Sequence, residues 1–334
     1  MRASVPGENT QYKVKAWIVS GTNLIQSFPH HTLVKEAFEA LDFIVAVDTM
    51  PMDITGYADV VLPECTYLER YDTIRASINR EPSIALRMPA VEPKYNSKPS
   101  WWMAKEIGKR LGLEDYFKYD DFSEVLDWQL KKMGTSLEEM KKIGVKKFPR
   151  KSGPLYTSDI EEIKLPTASG KIELYSARLE ELGFDPLPTY TAHPKPEKGY
   201  YRLIYGRSPV HTFSRTTNNP MLNDLMSENK VWINPKVAKI WGLKNDQYIY
   251  LKNQDGAVTS FPIKIRVTER IRWDSVYMVH GFGHNEKQLS RAFGKGASDA
   301  EMITRVTIDP LMGGTGMRGN FVTFLTEQPG TVES

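Results

Sequence analysis

The sequence predicts an α/β chain: a parallel-sheet, Rossmann-like domain followed by a domain of short strands. Three observations point there. Near the amino end a strand, a turn, a helix and a second strand follow one another in the spacing of a βαβ unit, which requires parallel strands. The second strand, within FIVAVD, ends in an acid, Asp48, and a third apolar strand follows a short loop later. From Tyr200 onward the pattern changes to short strands separated by turn signals, which reads as a barrel or sandwich.

Each element has its own reason. Lys15 to Ser20 (KAWIVS) is an apolar strand, and Gly21-Thr22-Asn23 is the turn after it. His31 to Leu41 places Val34, Ala37, Phe38 and Leu41 on one helical face. Phe43 to Val47 and Val60 to Leu62 continue the sheet. Trp101 to Leu111 is an amphipathic helix capped by Ser100 and stopped by Gly112. Ser123 to Lys132 is a further helix, and Thr135 to Ile143 opens with a capping box. Pro149 to Pro154 is a break. Leu165 to Ser176 (LPTASGKIELYS) reads as a turn followed by a strand. Pro186, Pro188, Pro194 and Pro196 mark a linker. Strands are expected at Tyr201 to Tyr205, Trp232 to Asn234, Tyr248 to Lys252, Thr259 to Val267 and Ser275 to Val279. A short helix runs from Pro235 to Trp241 and ends at Gly242. The expected division is residues 1–119 as the parallel-sheet domain, 120–197 as a connecting region and 198–334 as the strand-rich domain.

The bulk numbers exclude several classes. The 334 residues suffice for two cores, and 40% hydrophobic with 25% charged residues is the balance of a folded chain. A net charge of +3 is too small to imply nucleic-acid binding. No apolar run approaches the roughly 18 residues of a spanning helix. No apolar leader or twin-arginine pair occurs near the amino terminus. The single cysteine, Cys65, excludes an internal disulfide and a four-cysteine iron–sulfur or zinc site made by this sequence alone. No histidine pair has the i, i+4 metal spacing on a helix.

The candidate sites cluster at turns. Gly21-Thr22-Asn23 and Asp48-Thr49 follow adjacent strands, so their loops meet at one sheet edge, where open α/β sheets bind ligands. A carboxylate there accepts hydrogen bonds from a ribose or a guanine edge. Asp53, Asp59, Glu64 and Glu69 are acids close in sequence, but sequence neighbours need not be close in space. Asp59 is expected to cap or bond a loop at the strand start, and Glu69 with Arg70 to form a surface or structural pair. Gly206 to Asn219 is the densest polar run, with Arg207, His211, Thr212, Ser214 and Arg215. Arginines, hydroxyls and amides with little acid suit a diphosphate. His280-Gly-Phe-Gly-His284-Asn285 reads as a hydrogen-bonding turn in preference to a metal pair. Gly313 to Gly316 lacks the ending of a phosphate loop. Cys65 beside a buried strand reads as packing.

In order and spacing, these segments resemble the molybdopterin oxidoreductases of the dimethyl sulfoxide reductase superfamily. Within it they look most like polysulfide and thiosulfate reductase catalytic subunits. The resemblance rests on VKAWIVSGTNLIQS, DTMPMDITGYADVVLPECTYLERYD, LPTASGKIELYS, YGRSPVHTFSRTTNN, VWINPKVAKIWGLKNDQYIYLKNQDG and GKGASDAEMITRVTIDPLMGG. DTMPMDITGYADVVLPECTYLERYD is the most specific of them. Leu24 stands where proline is usual. The resemblance implies a double-psi β-barrel for the last domain. It also implies a molybdenum or tungsten bis(molybdopterin guanine dinucleotide) cofactor, with no iron–sulfur cluster in this chain. Carried over by position, Gly21, Thr22, Asn23, Asp48, Thr49 and Asp59 fall on one cofactor-binding group. Gly206, Arg207, His211, Thr212, Ser214, Arg215 and Asn285 fall on the second, with Ser298 and Asp299. No catalytic residue and no metal ligand is carried over.

The family places an iron–sulfur domain and the metal ligand ahead of these segments, so the resemblance implies the carboxyl-terminal half of an enzyme. Its expected partners are an amino-terminal half with the cluster, an iron–sulfur electron-transfer subunit and a membrane anchor subunit. The expected setting is a membrane-associated complex, exported through a partner or else cytoplasmic, and inactive without those partners. The expected reaction is two-electron chemistry on a small sulfur anion in anaerobic respiration. Two alternatives stand beside it: a non-catalytic scaffold subunit of a respiratory complex, and a stand-alone nucleotide-binding α/β protein.

Overall fold

The computed structural model describes residues 12–77, 81–149, 165–187 and 189–327. The chain forms two compact units. One is discontinuous and joins residues 1–64 to 194–334; the other is residues 65–193.

The discontinuous unit begins with β1 (Ala16–Ser20), α1 (Leu24–Ser27), α2 (His31–Glu39), β2 (Phe43–Asp48), a 3-10 helix (Asp53–Tyr57) and β3 (Val60–Pro63). The three strands are parallel in the order β1-β2-β3. β2 is central, so Ile44 to Val47 are all buried. Val34 and Phe38 of α2 pack on Val19, Ile44, Ile25, Met52 and Ile54. The βαβ reading therefore matches the fold, and the 3-10 helix carries the chain back below the sheet edge.

The second unit holds β4 (Arg75–Ser77), β5 (Ser83–Ala85), α3 (Ser100–Arg110), α4 (Phe122–Lys132), α5 (Leu137–Ile143), β6 (Val145–Lys147) and α6 (Ala177–Glu181). Leu126, Leu130, Leu137 and Met140 close its core against Ile84 and Leu86. Local details differ from expectation. α3 starts at Ser100 with Pro99 as its N-cap, because the Pro99 carbonyl already accepts from Trp102 and Met103. α5 is capped by Ser136 in place of Thr135, whose hydroxyl instead bonds Glu139. The strand expected in KIELYS is absent. Thr167 and Ser169 tie that segment into local turns, and Ile172 and Leu174 stay exposed with no strand beside them among the described residues. Most of the expected break at Pro149 to Pro154 lies outside the described residues. Glu69 and Arg70 do not pair with each other: Glu69 accepts from Thr66 and Lys94, and Arg70 pairs with Asp72. Cys65 is buried beside Ser97.

The rest of the discontinuous unit is a closed six-stranded barrel. Its strands are β7 (Tyr201–Gly206), β8 (Lys230–Ile233), β9 (Tyr248–Asn253), β10 (Ile263–Val267), β11 (Ser275–Val279) and β14 (Phe321–Leu325), with α7 (Pro220–Leu225) and α8 (Pro235–Trp241) between strands. Its order is β10-β8-β11-β7-β14-β9, with β10–β8 and β11–β7 parallel and the other neighbours antiparallel. Alternate residues point inward, and Leu203, Val231, Ile233, Ile249, Leu251, Ile263, Ile265, Val276, Met278 and Val322 fill it. β10 starts at Ile263, later than expected, because Pro262 has no amide for the ladder and Ser260 is held by Glu301. The Gly313 to Gly316 segment joins β12 (Thr307–Ile308) to β13 (Thr315–Gly316), a small hairpin.

Candidate functional site

β1 and β2 run parallel and stop together, so the turns Gly21 to Asn23 and Asp48 to Thr49 lie side by side. Gly21 N–H donates to Val47 O at 2.9 Å. Asp48 is half-buried and accepts from Thr49 N–H at 2.7 Å. Burial pushes its carboxyl above the ordinary value, and the nearby Glu64 charge adds to this. Asp59 lies elsewhere: its carboxylate accepts from Ile44 N–H at 2.7 Å and joins β3 to β2. Thr22 and Thr49 are exposed at the rim.

Asn23 faces inward. It is 4% exposed, and its Nδ2 donates to Asp53 Oδ2 at 2.7 Å. Its Oδ1 is buried with no hydrogen-bond partner. Asp53 is the hub of a buried polar chain. Oδ2 also accepts from His284 Nδ1 at 2.6 Å, and Oδ1 accepts from the backbone N–H of Asn285 at 2.6 Å and Glu286 at 3.1 Å. Burial alone would raise this carboxyl. The bond and charge of His284, with the bonds from Asn23 and Asn285, hold it below the usual range instead. His284 Nε2 meets the Thr217 hydroxyl at 2.9 Å, and Asn223 Nδ2 donates to Thr217 O at 3.0 Å. The chain Asn23–Asp53–His284–Thr217 thus ties the sheet-edge turn to the polar loop that leaves the barrel at Gly206.

A second tie lies alongside. Ser298 Oγ donates to Gln26 Oε1 at 2.9 Å, and Gln26 Nε2 donates to Gly283 O at 3.3 Å. Two glycines make the close packing possible. A Cβ on Gly281 would fall 2.4 Å from the Phe213 backbone, and one on Gly283 would fall 2.5 Å from Ser298 N. Both have positive φ as well, 93° and 77°.

Within the loop of 206–219 the polar side chains divide into two groups. His211 is buried, with Nε2 donating to Met226 O at 2.7 Å and Nδ1 facing the Thr216 hydroxyl at 3.2 Å. Thr216 Oγ1 also accepts from Thr212 N–H, Asn218 Oδ1 accepts from Arg291 N–H, and Asn219 caps α7. Ser214 is buried. These residues hold the loop's shape. Arg207, Thr212 and Arg215 are left at the surface. The Arg207 guanidinium lies over the Phe213 ring, 4.8 Å from its centroid. Arg207 lines a groove of about 450 Å³ with Tyr277, Trp232 and Arg266. Asn285 is exposed while its backbone binds Asp53. Asp299 is 1% exposed and accepts from His280 Nδ1 at 2.8 and 3.0 Å.

The cofactor-binding candidates read from the sequence all fall in the discontinuous unit, with Asp59 apart from the others because its carboxylate holds the Ile44 amide. Asp53, His284, Thr217 and Gln26 are the connectors, and none of them was among the expected cofactor-binding residues. Asp53 stood out only as one of several neighbouring acids, and the hydrogen-bonding reading of the His280 to Asn285 turn matches the structure. His280 and His284 diverge to separate acids, and no group of three or more acids, histidines or cysteines among the described residues is placed to hold a metal ion. None of the described helices is long and apolar enough to cross a membrane.

Fold and site together define a protein with an α/β sheet edge and a barrel loop locked to each other, with surface arginines that have no acid partner among the described residues. Those guanidinium donors fit a ligand carrying phosphates. Comparison with known proteins gives the family. The molybdopterin oxidoreductase model matches residues 3–110, and the molybdopterin dinucleotide binding domain matches residues 201–320. The molybdopterin-containing subunit of thiosulfate reductase from Salmonella typhimurium is 33% identical over 322 residues, 89% of this chain and 41% of that one. Dimethyl sulfoxide reductase DmsA of Escherichia coli is 27% identical, over 76% of this chain and 35% of that one. The solved structure of acetylene hydratase from Pelobacter acetylenicus shares the fold, with a TM-score of 0.76 and 22% identity over 97% of this chain and 45% of that one. The chain belongs to the molybdopterin oxidoreductases. It spans about two-fifths of the length of the curated relatives it matches.

Proposed function

We propose that this chain supplies two of the loops that hold a bis(molybdopterin guanine dinucleotide) cofactor, with molybdenum or tungsten, in an enzyme acting on thiosulfate, polysulfide or a similar sulfur anion. The observation that carries the reading is the pair of surface arginines, Arg207 and Arg215, which have no acid partner among the described residues, on a loop fixed from behind. Arg207, Thr212 and Arg215 would hold phosphate oxygens. The buried Asn23 Oδ1 would accept from a ring or amino N–H, and Asp48 would accept from a ribose or guanine edge. His211, Ser214, Asn285, Ser298 and Asp299 serve by shaping the loops or by backbone contact. When bound, the group supplies two-electron redox chemistry at its metal, and the protein's part is to orient it and set its electrostatic surroundings.

The thiosulfate reductase match over most of the chain supports the sulfur substrate. We read the barrel, with its two parallel strand pairs, as the double-psi type, and the chain as a Rossmann-like dinucleotide-binding domain at 1–119, a connecting region at 120–197 and the barrel domain at 198–334. The partners are an iron–sulfur-bearing catalytic portion, an electron-transfer subunit and a membrane anchor. The test is turnover by the native complex with a reduced viologen dye. Dye oxidation that depends on thiosulfate or polysulfide is expected. A complex that retains pterin but turns over neither sulfur compound would refute the substrate assignment.

A further inference from the structure

β7 and β11 are parallel neighbours, and the chain leaves both at the same end of the barrel. Gly206 and Arg207 leave β7 there, and His280 leaves β11, with His280 N–H donating to Gly206 O at 2.8 Å. The imidazole is fixed on one side. Both oxygens of the buried Asp299 face Nδ1, at 2.8 and 3.0 Å, which orients the ring and leaves Nε2 without a partner among the described residues. The His280 side chain is 17% exposed, so Nε2 is the edge open to solvent. Phe213 packs edge-on against this ring at 5.9 Å and carries the Arg207 guanidinium on its own face at 4.8 Å. One phenyl ring therefore contacts both groups. Phe213 itself adopts a left-handed backbone, φ 51°, which a non-glycine residue takes only where packing enforces it.

We propose that His280, oriented by Asp299, is an anion-binding and proton-carrying residue that acts with Arg207 on a tetrahedral oxyanion. The inference deepens the cofactor-cradle reading and rests on it for the ligand's source, which is either the cofactor's diphosphate or a free sulfur oxyanion. Asp299 is a positioning residue, since its oxygens are directed to Nδ1. The electrostatics agree with the geometry: burial opposes the charged ring, yet the Asp299 bond and charge raise its pKa above 6.5, while Arg207 opposes them. The other groups that feel Asp299 are Tyr205 and Tyr277 on the flanking strands, His31 on α2 and Glu301, and Arg318 contacts Tyr205. Imidazolium and guanidinium thus both border Phe213, near enough for the Arg207 charge to act on His280, and an oxyanion bound there would draw charge-assisted bonds from both.

Anion binding to the full chain tests this, measured calorimetrically with pyrophosphate, thiosulfate and sulfate at several pH values. Sulfate and thiosulfate stay dianionic throughout, so any titration in their binding belongs to the protein. Affinity should be constant below the His280 pKa and fall as pH rises through it. His280→Gln should weaken binding roughly tenfold or more at low pH and abolish the pH dependence. Asp299→Asn should keep binding but move its midpoint to lower pH, a shift that a purely structural role would not produce. Loss of pyrophosphate affinity in His280→Gln assigns the cofactor's diphosphate, whereas loss confined to thiosulfate assigns a free oxyanion. Equal affinity in wild type and His280→Gln, or no pH-dependent binding of any of the three, overturns the proposal. A chain that passes this test but copurifies with no pterin would overturn the cradle reading alone.

Discussion

Asp53→Ala is the sharpest test of how the two loops are held. In the native protein the Asp53 carboxylate accepts four hydrogen bonds, from Asn23, His284 and the backbone of Asn285 and Glu286. The substitution leaves all four donors buried or half-buried without an acceptor. Removing one partner of a buried, hydrogen-bonded pair costs about 3–5 kcal/mol. For a unit of this size that corresponds to a melting temperature roughly 10 °C lower. Circular dichroism melts of the full chain measure the loss, and hydrogen exchange at the Asn285 and Glu286 amides locates it. The pH dependence follows from the same carboxyl, which in the fold lies below its ordinary value of 3.8. Its contribution is present above that value and disappears as pH falls through the lower, folded pKa. The variant should therefore lose less stability than wild type over that acid range. A loss under about 1 kcal/mol, with unchanged exchange at the two amides, would refute the clamp.

Three further outcomes are expected. His31 is buried and its pKa is lowered to about 4 from 6.5, so the unfolded chain takes up this proton first and stability falls as pH drops from 6.5 to 4. The limb is worth about 3 kcal/mol, and urea denaturation of His31→Gln should show it missing. Gly281→Ala and Gly283→Ala force a Cβ into backbone at positive φ and should each cost roughly 3 kcal/mol or more by chemical denaturation. Arg207→Ala and Arg215→Ala remove no acid contact among the described residues, so stability should change by no more than about 1 kcal/mol, the most from the Arg207–Phe213 contact, while pterin content of the native complex falls.

The sheet was legible because β1, α2 and β2 carry strong apolar periodicity in a short span, and Asp48 marks where β2 stops. The barrel strands were legible for the same reason, with Pro235 and Gly242 bounding α8. KIELYS alternates as a strand should, but alternation says nothing about whether a partner strand is present. The compact unit is discontinuous because Asp53 and Gln26 bond residues more than 200 positions away, a fact that no local pattern carries. For the same reason Arg207 to Asn219 looked uniformly polar. Burial alone separates the residues that shape the loop, His211, Ser214 and Thr217, from the arginines left to face a ligand.

The central claim is that these loops grip a metal-bearing pterin dinucleotide. Metal analysis of the complex purified from its native source, with pterin fluorescence after cofactor extraction, tests it most directly. Molybdenum or tungsten in stoichiometric amount together with a fluorescent pterin is the predicted result. A complex containing this chain with neither metal nor pterin would contradict it.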